Sequence, residues 1–188
     1  MKRSDRRILT THAGRLDGPP ELTKLSRDVM AGHLADVNAL RPAVQRGIVD
    51  VIRKQAGAGV DVISDGEVGK FGFGSLAYYG RRLSGLTTRP LKPGEAPFMA
   101  LETNERIEFA EFYKDFQFFP APAVRTVCSG ALTYIGQQEI QADIQLFKSA
   151  LTESNVRAED PFMCVLAPRW LEHFFYNAHY STHEAYLF

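Results

Sequence analysis

The sequence VDVISDGE occupies residues 60–67 and decides the predicted fold. Its first five residues are mostly apolar and β-branched, and they do not alternate cleanly with polar residues. A run of that length and kind is typical of a strand buried on both faces, as in a parallel sheet. The Asp65-Gly66 pair that follows is typical of a turn. We therefore predict a buried parallel strand over residues 60–64, followed by an acidic loop.

Three further runs have the same character, at residues 8–12, 124–128 and 162–166. Each precedes a loop with glycine, proline or small polar residues, such as Ser129-Gly130 after the run that ends at residue 128. Helical periodicity fills the intervals, after Pro20 and over about residues 42–56, 104–116 and 137–154. Strands that alternate with helices predict an α/β fold with a parallel sheet and covering helices. We expect residues 65–100 to form the longest irregular loop.

The composition is that of an ordinary globular protein. Of the 188 residues, 45% are hydrophobic and 23% charged, which excludes intrinsic disorder and collagen-like repeats. Basic and acidic residues balance at 22 each, whereas a nucleic-acid binder usually shows a basic excess. Cys128 and Cys164 are too few for a framework of disulfides, and no signal peptide or membrane span stands out. We expect a cytoplasmic protein with no nucleic-acid and no membrane partner.

A first candidate cluster follows the first predicted strand and contains His12, Gly14 and Arg15. Ligands of parallel α/β folds bind where the strands end, so these residues are placed to meet one. Gly14 lets the backbone approach a ligand closely, and His12 and Arg15 are able to bind an anion or polarise a carbonyl. A strand end with a hydrogen-bonded histidine and a surface arginine is the alternative interpretation.

A second candidate cluster follows the second predicted strand and contains Asp65, Glu67 and Lys70. Two carboxylates two residues apart are able to bind an ammonium group or to act as acid and base. The alternative is a simple Asp-Gly turn with a solvated Glu67.

A third cluster, Ser129 and Gly130, follows the third predicted strand. No nucleophile elbow surrounds Cys128 and Ser129, so covalent catalysis there is not expected. The five histidines match no zinc motif, and no phosphate-binding glycine loop is present. We assign no catalytic and no metal-ligating residue.

Three motifs in order together resemble the catalytic barrel of cobalamin-independent methionine synthases and their methyltransferase-like relatives. They are TTHAGRL at residues 10–16, VISDGE at 62–67 and SGALT at 129–133. The resemblance implies a partial (β/α)8 barrel of the TIM type, with about four βα units, parallel strands and long βα loops. Residues 1–188 would form one domain, the N-terminal half of the barrel.

The resemblance also implies an activity, in which a zinc-activated thiol attacks a methyl group or another carbon electrophile. The family's zinc ligands lie on later strands, so we expect zinc in a full-length member and none on this chain, which by itself would be inactive. A helix that begins near Thr182 lacks the residues to continue, so we expect a chain truncated at its C-terminus. Half a barrel leaves strand edges open, and a homodimer that covers them is a predicted partner arrangement.

Residue by residue, the resemblance places a small-molecule thiol substrate at the first two motifs. Gly14 and Arg15 would hold its carboxylate, and Glu67 would hold its amino group. Arg89 falls near the family's contact with the folate donor. Gln137 stands near the place of the family's pterin-stacking tryptophan, which argues against a folate donor here.

Two other functions stay open at this point. One is a decarboxylase similar to the uroporphyrinogen family, which uses an aspartate and arginines and for which Asp65 and Arg15 are candidates. The other is a non-catalytic half barrel that binds a small acid or self-associates.

Overall fold

The computed structural model describes residues 3–30, 40–71, 75–93, 95, 100–115 and 124–187. The chain divides into two compact units. The first unit comprises Met1–Arg81 and Gly136–Val165, and the second comprises Arg82–Ile135 and Leu166–Phe188. A single domain over residues 1–188 stays a prediction.

Helices and strands both occur in the described residues, so the chain is a mixed α/β protein. The helices are α1 (Pro20–Met30), α2 (Arg41–Gly57), α3 (Leu76–Gly80), α4 (Ala100–Glu108), α5 (Ala110–Asp115), α6 (Gln137–Ser154), α7 (Pro168–Phe174) and α8 (His183–Leu187). The strands are β1 (Leu83–Pro90), β2 (Val124–Tyr134) and β3 (Tyr176–Asn177).

Two predicted helices are confirmed almost residue for residue. Helix α2 begins with a proline at its second residue, where the missing N–H costs nothing, and matches the prediction over 42–56. Helix α6 covers the predicted 137–154 and ends at Asn155, whose φ of 57° is left-handed. The helix predicted over 104–116 is two helices, α4 and α5, interrupted at Phe109. Its last residue, Phe116, lies outside the described residues.

The core of the first unit lies where α2 packs against α6 and the segment around Ile63. The buried apolar residues there are Leu22, Leu40, Val44, Ile48, Val49, Val51, Ile52, Ile63, Val68, Phe71, Phe147 and Ala150. On α1, Leu22 is buried and Leu25 is partly buried, so both face the core. The side chain of Val29 lies outside the described residues.

One buried polar side chain fixes the second predicted strand to α2. The Gln55 Nε2 donates a hydrogen bond to the carbonyl of Ser64 at 2.9 Å, and the Ser64 N–H donates to Gln55 Oε1 at 3.1 Å. Gln55 is 4% exposed and Ser64 is fully buried. A buried amide side chain is tolerated only when its donors and acceptors have hydrogen-bond partners. The Ser64 backbone supplies a carbonyl for Gln55 Nε2 and an N–H for Gln55 Oε1.

The segments of three of the four predicted strands meet in the first unit, but none of the three forms a strand in the structure. The prediction that they are buried on both faces is wrong for the two outer segments, since Ile8 is 85% and Val165 is 74% exposed. Thr11 pairs with Val62, and Ser64 pairs with Phe162, both in parallel. Segment 60–64 therefore lies between segments 8–12 and 162–166, and each contact is a single bridge. The direction agrees with the predicted parallel arrangement, and the partial (β/α)8 barrel stays a prediction.

The second unit contains a sheet in the order β1-β2-β3, with β1 antiparallel to β2 and β3 parallel to it. The prediction of an irregular segment over 65–100 is wrong for residues 76–80 and 83–90, which form α3 and β1, and for Ala100, which begins α4. The prediction of a loop at Ser129-Gly130 is also wrong, because β2 continues to Tyr134. Glycine and proline in β1 resemble loop signals, but Gly85 lies at a bulge and Pro90 at the strand end.

None of the helices in the described part of the chain has the length and apolar character needed to cross a bilayer.

Replacement of Ile52 by alanine tests the core of the first unit. Ile52 is fully buried, so Ile52→Ala removes apolar contacts and leaves a cavity, and we expect a loss of roughly 2–5 kcal/mol in unfolding free energy. Ile107 is 73% exposed, and Ile107→Ala should cost less than about 0.5 kcal/mol. Urea titrations followed by circular dichroism measure both, and equal losses would contradict the assigned core.

Replacement of Gly85 by alanine tests the bulge in β1. Gly85 has a φ of +80°, and an added Cβ would lie 2.5 Å from the carbonyl oxygen of Ala131. We expect Gly85→Ala to lower the unfolding free energy by about 1 kcal/mol or more. Gly57, the last residue of α2, has open space at that position, so Gly57→Ala should leave stability unchanged or slightly higher. Thermal unfolding of the two variants distinguishes them.

Candidate functional site

The candidate site is built on the turn at residues 65–70, directly after the segment 60–64 that Gln55 holds. Gly66 and Glu67 both have left-handed backbone conformations, with φ of 62° and 54°. For a glutamate this conformation costs about 1 kcal/mol or more. Two local hydrogen bonds stabilise it: the Gly66 N–H donates to Ser64 Oγ at 3.2 Å, and the Glu67 N–H donates to Asp65 Oδ1 at 3.2 Å. Both carboxylates of this turn, those of Asp65 and Glu67, face one lysine.

That lysine is Lys70, whose side chain is 3% exposed. Its Nζ lies 3.6 Å from Asp65 Oδ2 and 4.0 Å from Glu67 Oε1, and it donates a hydrogen bond to the carbonyl of Cys164. The Asp65 side chain is 6% exposed and that of Glu67 is 16% exposed. A buried ammonium group needs such partners, because its loss of hydration is otherwise uncompensated.

Burial is the main influence on the Asp65 carboxyl. Loss of hydration raises its pKa, and the Lys70 charge and the Glu67 N–H act in the opposite direction. The raised pKa means that Asp65 holds its proton to a higher pH than a solvated aspartate does. A carboxyl in that condition is suited to accept and return a proton.

The first motif lies against this turn. The Leu16 N–H donates to the carbonyl of Gly66 at 2.9 Å. The Arg15 guanidinium donates to the carbonyl of Lys70, and to Ser75 Oγ at 3.3 Å. The structure therefore brings Arg15 of the first predicted cluster against the turn of the second. Arg15 contacts a main-chain carbonyl and a hydroxyl here, and its predicted role with a substrate carboxylate stays a prediction.

His12 and Gly14 complete the first cluster. His12 Nε2 is buried and has no hydrogen-bond partner among the described residues. Gly14 has a φ of +96°, and nothing lies within 4 Å of the position that a Cβ would take there. A positive φ with open space beside it agrees with a backbone that a ligand approaches closely.

The other three predicted site residues, Arg89, Ser129 and Gly130, belong to the second unit. Ser129 and Gly130 lie within β2, where Ser129 Oγ accepts a hydrogen bond from Thr87 Oγ1 at 3.0 Å. Gly130 supplies the carbonyl that accepts a hydrogen bond from Cys128 Sγ at 3.4 Å. Their predicted roles at the substrate stay predictions.

Arg89 takes part in an ion-pair network centred on Glu95. Its two terminal nitrogens donate to the Glu95 carboxylate at 2.7 and 2.8 Å, and Arg125 Nε lies 3.1 Å from the same carboxylate. The Arg89 guanidinium also lies over the Tyr176 ring, 5.5 Å from its centroid. This geometry links β1, β2 and β3, and the predicted contact of Arg89 with a donor stays a prediction.

Sequence reasoning missed a cavity of about 50 Å³ in the first unit, beside the Lys70 cluster. Its polar lining is Arg41, Asp65, Lys70, Tyr78, Arg81 and Asp143, and its apolar walls include Val44, Ile48, Leu146 and Phe147. The Tyr78 hydroxyl donates to Asp143 Oδ2 at 2.5 Å, and Arg41 lies 3.8 Å from Asp143 Oδ1. The sequence holds one sign of this cavity, because Asp143 is a charged residue on the otherwise apolar side of α6, between Ile140 and Phe147.

No three histidine, cysteine, aspartate or glutamate side chains come together among the described residues in a way that could hold a metal ion. Those residues do not fit a zinc ion.

The fold of this chain is similar to that of a B12-independent methionine synthase from Shewanella sp. W3-18-1, solved in complex with selenomethionine. The TM-score is 0.50 and the sequence identity is 15%, over 82% of this chain and 37% of the synthase. This chain therefore spans little more than a third of the length of that relative. No protein-family model matches the chain, and no curated protein matches it. The similarity is one of fold.

Replacement of Glu95 by glutamine tests the network around Arg89. The Arg89 hydrogen bonds lower the pKa of Glu95 to about 2. A lowered carboxyl pKa stabilises the fold above the ordinary glutamate pKa, and that stabilisation is lost as the pH falls toward 2. We expect Glu95→Gln to lower the Tm at neutral pH and to approach the wild-type Tm near pH 2. Thermal unfolding across that pH range measures the difference.

Glu108 provides the matched control, because it is an exposed glutamate of the same unit. Glu108→Gln should leave the Tm close to that of the wild type at each pH. A Tm difference for Glu95→Gln that does not change with pH would contradict the ion-pair interpretation.

Proposed function

We propose that this chain is a methionine-synthase-like protein that binds the amino group of a sulfur-containing amino acid at the Asp65–Glu67 turn. The observation that carries the proposal is the arrangement of two carboxylates around one lysine. With both carboxylates ionised, Asp65, Glu67 and Lys70 together carry a net charge of −1. An enclosed negative charge is stabilised by an incoming cation, and a primary ammonium group is a cation of suitable size.

Distances support this assignment. Charge-assisted N–H···O hydrogen bonds are about 2.7–2.9 Å long. Lys70 Nζ lies 3.6 and 4.0 Å from the two carboxylates, so its shorter hydrogen bond goes to the Cys164 carbonyl instead. Glu67, with the more exposed carboxylate of the two, is the group to which we assign the ligand's ammonium. The left-handed backbone conformation of Glu67, which accompanies this placement of its carboxylate, costs free energy.

The class of ligand is supported by the resemblance and by the structural neighbour. The three sequence motifs resemble those of methionine synthases, and the neighbour was solved with selenomethionine, an amino acid with a thioether-like side chain. We therefore expect an amino acid with a thiol or thioether side chain. Attack of such a thiol on a methyl group or another carbon electrophile is the reaction that we propose for the complete catalytic unit.

Isothermal titration calorimetry with L-homocysteine and L-selenomethionine, near neutral pH, tests the proposal. We expect both amino acids to bind the wild type, and Glu67→Gln to weaken binding about tenfold or more, because a hydrogen bond to a charged group is lost. Glu21→Gln is the matched control, since Glu21 is a half-exposed glutamate paired with Arg46 on α1 and α2. That variant should bind like the wild type.

A deaminated ligand provides the second control. 4-(Methylthio)butyrate keeps the carboxylate and the thioether but lacks the amino group, and we expect it not to bind. Binding equal to that of the amino acids would favour the non-catalytic protein that binds a small acid. Unchanged affinity in Glu67→Gln would refute the assignment of the ammonium to this residue.

A further inference from the structure

The two carboxylates of the turn at residues 65–70 are not equivalent, and the proposed function assigns the ligand to only one of them. The Glu67 side chain, which is assigned the ligand's ammonium, is 16% exposed, and that of Asp65 is 6% exposed. Asp65 Oδ2 lies 3.6 Å from Lys70 Nζ, whereas Glu67 Oε1 lies 4.0 Å from it. Asp65 is therefore the nearer counterion of Lys70, and Glu67 is left for the ligand.

We propose that Asp65 controls ligand binding at Glu67 through its own proton: the turn holds an ammonium group when Asp65 is ionised and releases it when Asp65 is protonated. This inference rests on the proposed function, because it concerns the same ligand. With Asp65 ionised, Asp65, Glu67 and Lys70 carry a net charge of −1, which an incoming ammonium neutralises. With Asp65 protonated the three groups are already neutral, so the ammonium would leave an uncompensated positive charge in an enclosed site.

The surroundings of Lys70 give a second reason. A buried ammonium group needs a negative partner, and the Cys164 carbonyl to which Nζ donates is uncharged. Once Asp65 is protonated, Glu67 is the remaining carboxylate within 4.0 Å of Nζ among the described residues. Glu67 then has to compensate Lys70, and its carboxylate is less available to a ligand.

Asp65 also positions the backbone of Glu67. Its Oδ1 accepts the Glu67 N–H at 3.2 Å, and this hydrogen bond supports the left-handed φ of 54° at Glu67. A carboxylate is a stronger acceptor than a protonated carboxyl group, because hydrogen bonds to charged groups are the stronger ones. Protonation of Asp65 therefore weakens the contact that places the ligand's partner. Asp65 is a positioning residue in this proposal, since it acts through Glu67.

Burial brings the titration of Asp65 nearer to neutral pH. It raises the pKa of the Asp65 carboxyl, and the Lys70 charge and the Glu67 N–H oppose it only in part. Of the groups across the adjoining cavity, Arg41 is paired with Asp143, and Arg81 is paired with Glu139, so these pairs add no net charge. The elements around the turn also carry these titratable or charged residues: His12, Arg15, Tyr78 and Cys164.

Carboxyl ¹³C NMR of the wild-type protein tests the proposal, because it separates Asp65 from the other titrating groups. Protein with ¹³C-labelled aspartate is titrated from about pH 4 to about pH 7, without ligand and with saturating L-selenomethionine. We expect the ligand to move the Asp65 curve to lower pH by about 0.5 pH unit or more, because a bound ammonium favours the ionised carboxyl. The signal of Asp50, which is paired with Lys54 on α2, should follow the same curve in both titrations.

Calorimetry in buffers of different ionisation enthalpy counts the protons that leave when L-selenomethionine binds. By linkage, the wild type should release protons where Asp65 titrates, and its affinity should fall by up to about tenfold per pH unit below that range. Asp65→Asn should bind about fivefold or more weakly near neutral pH, because a negative charge is removed, and should release fewer protons. Asp50→Asn is the matched control and should behave like the wild type.

Two kinds of failure are distinguished. An Asp65 curve that stays in place while L-selenomethionine binds would overturn this inference and leave amino-acid binding at Glu67 intact. Wild-type affinity near neutral pH in Asp65→Asn would overturn it in the same way. Absence of binding to the wild-type protein would refute the proposed function and this inference together.

Discussion

The hydrogen bonds between Gln55 and the backbone of Ser64 are the contact on which the first unit depends. Both residues are buried, where an unsatisfied amide would be costly, so α2 and segment 60–64 have one register relative to each other. The turn with Asp65, Glu67 and Lys70 begins at the next residue. The position of the candidate site is therefore set by a residue that belongs to the core and contacts no ligand in either proposal.

Much of the first unit was predictable because its signals are local. Helices α2 and α6 follow from apolar spacing, and their ends follow from Pro42 and Asn155. The parallel direction of segments 8–12, 60–64 and 162–166 follows from the alternation of strand and helix. The contact between Arg15 and the turn at residue 70 follows from the rule that parallel strands end at the same edge of a sheet.

The rest was not predictable because it depends on long-range contacts. Strand β1 contains Gly85 and Pro90, which are signals for a loop, and only its pairing with β2 makes it a strand. The cavity beside Lys70 joins Tyr78 and Asp143, which are 65 residues apart in sequence and have no spacing that marks them as neighbours. Asp143 on the apolar side of α6 was the only local sign of it.

The two cysteines differ in burial, and this difference gives them different accessibility to thiol reagents. Cys128 lies fully buried in β2, where loss of hydration raises the pKa of its thiol, whereas Cys164 of the first unit is partly exposed. Thiol reagents act on the thiolate of an accessible cysteine. Alkylation of Cys128 therefore requires a local opening that exposes its thiol, so the chain carries an intrinsic reporter of such opening around β2.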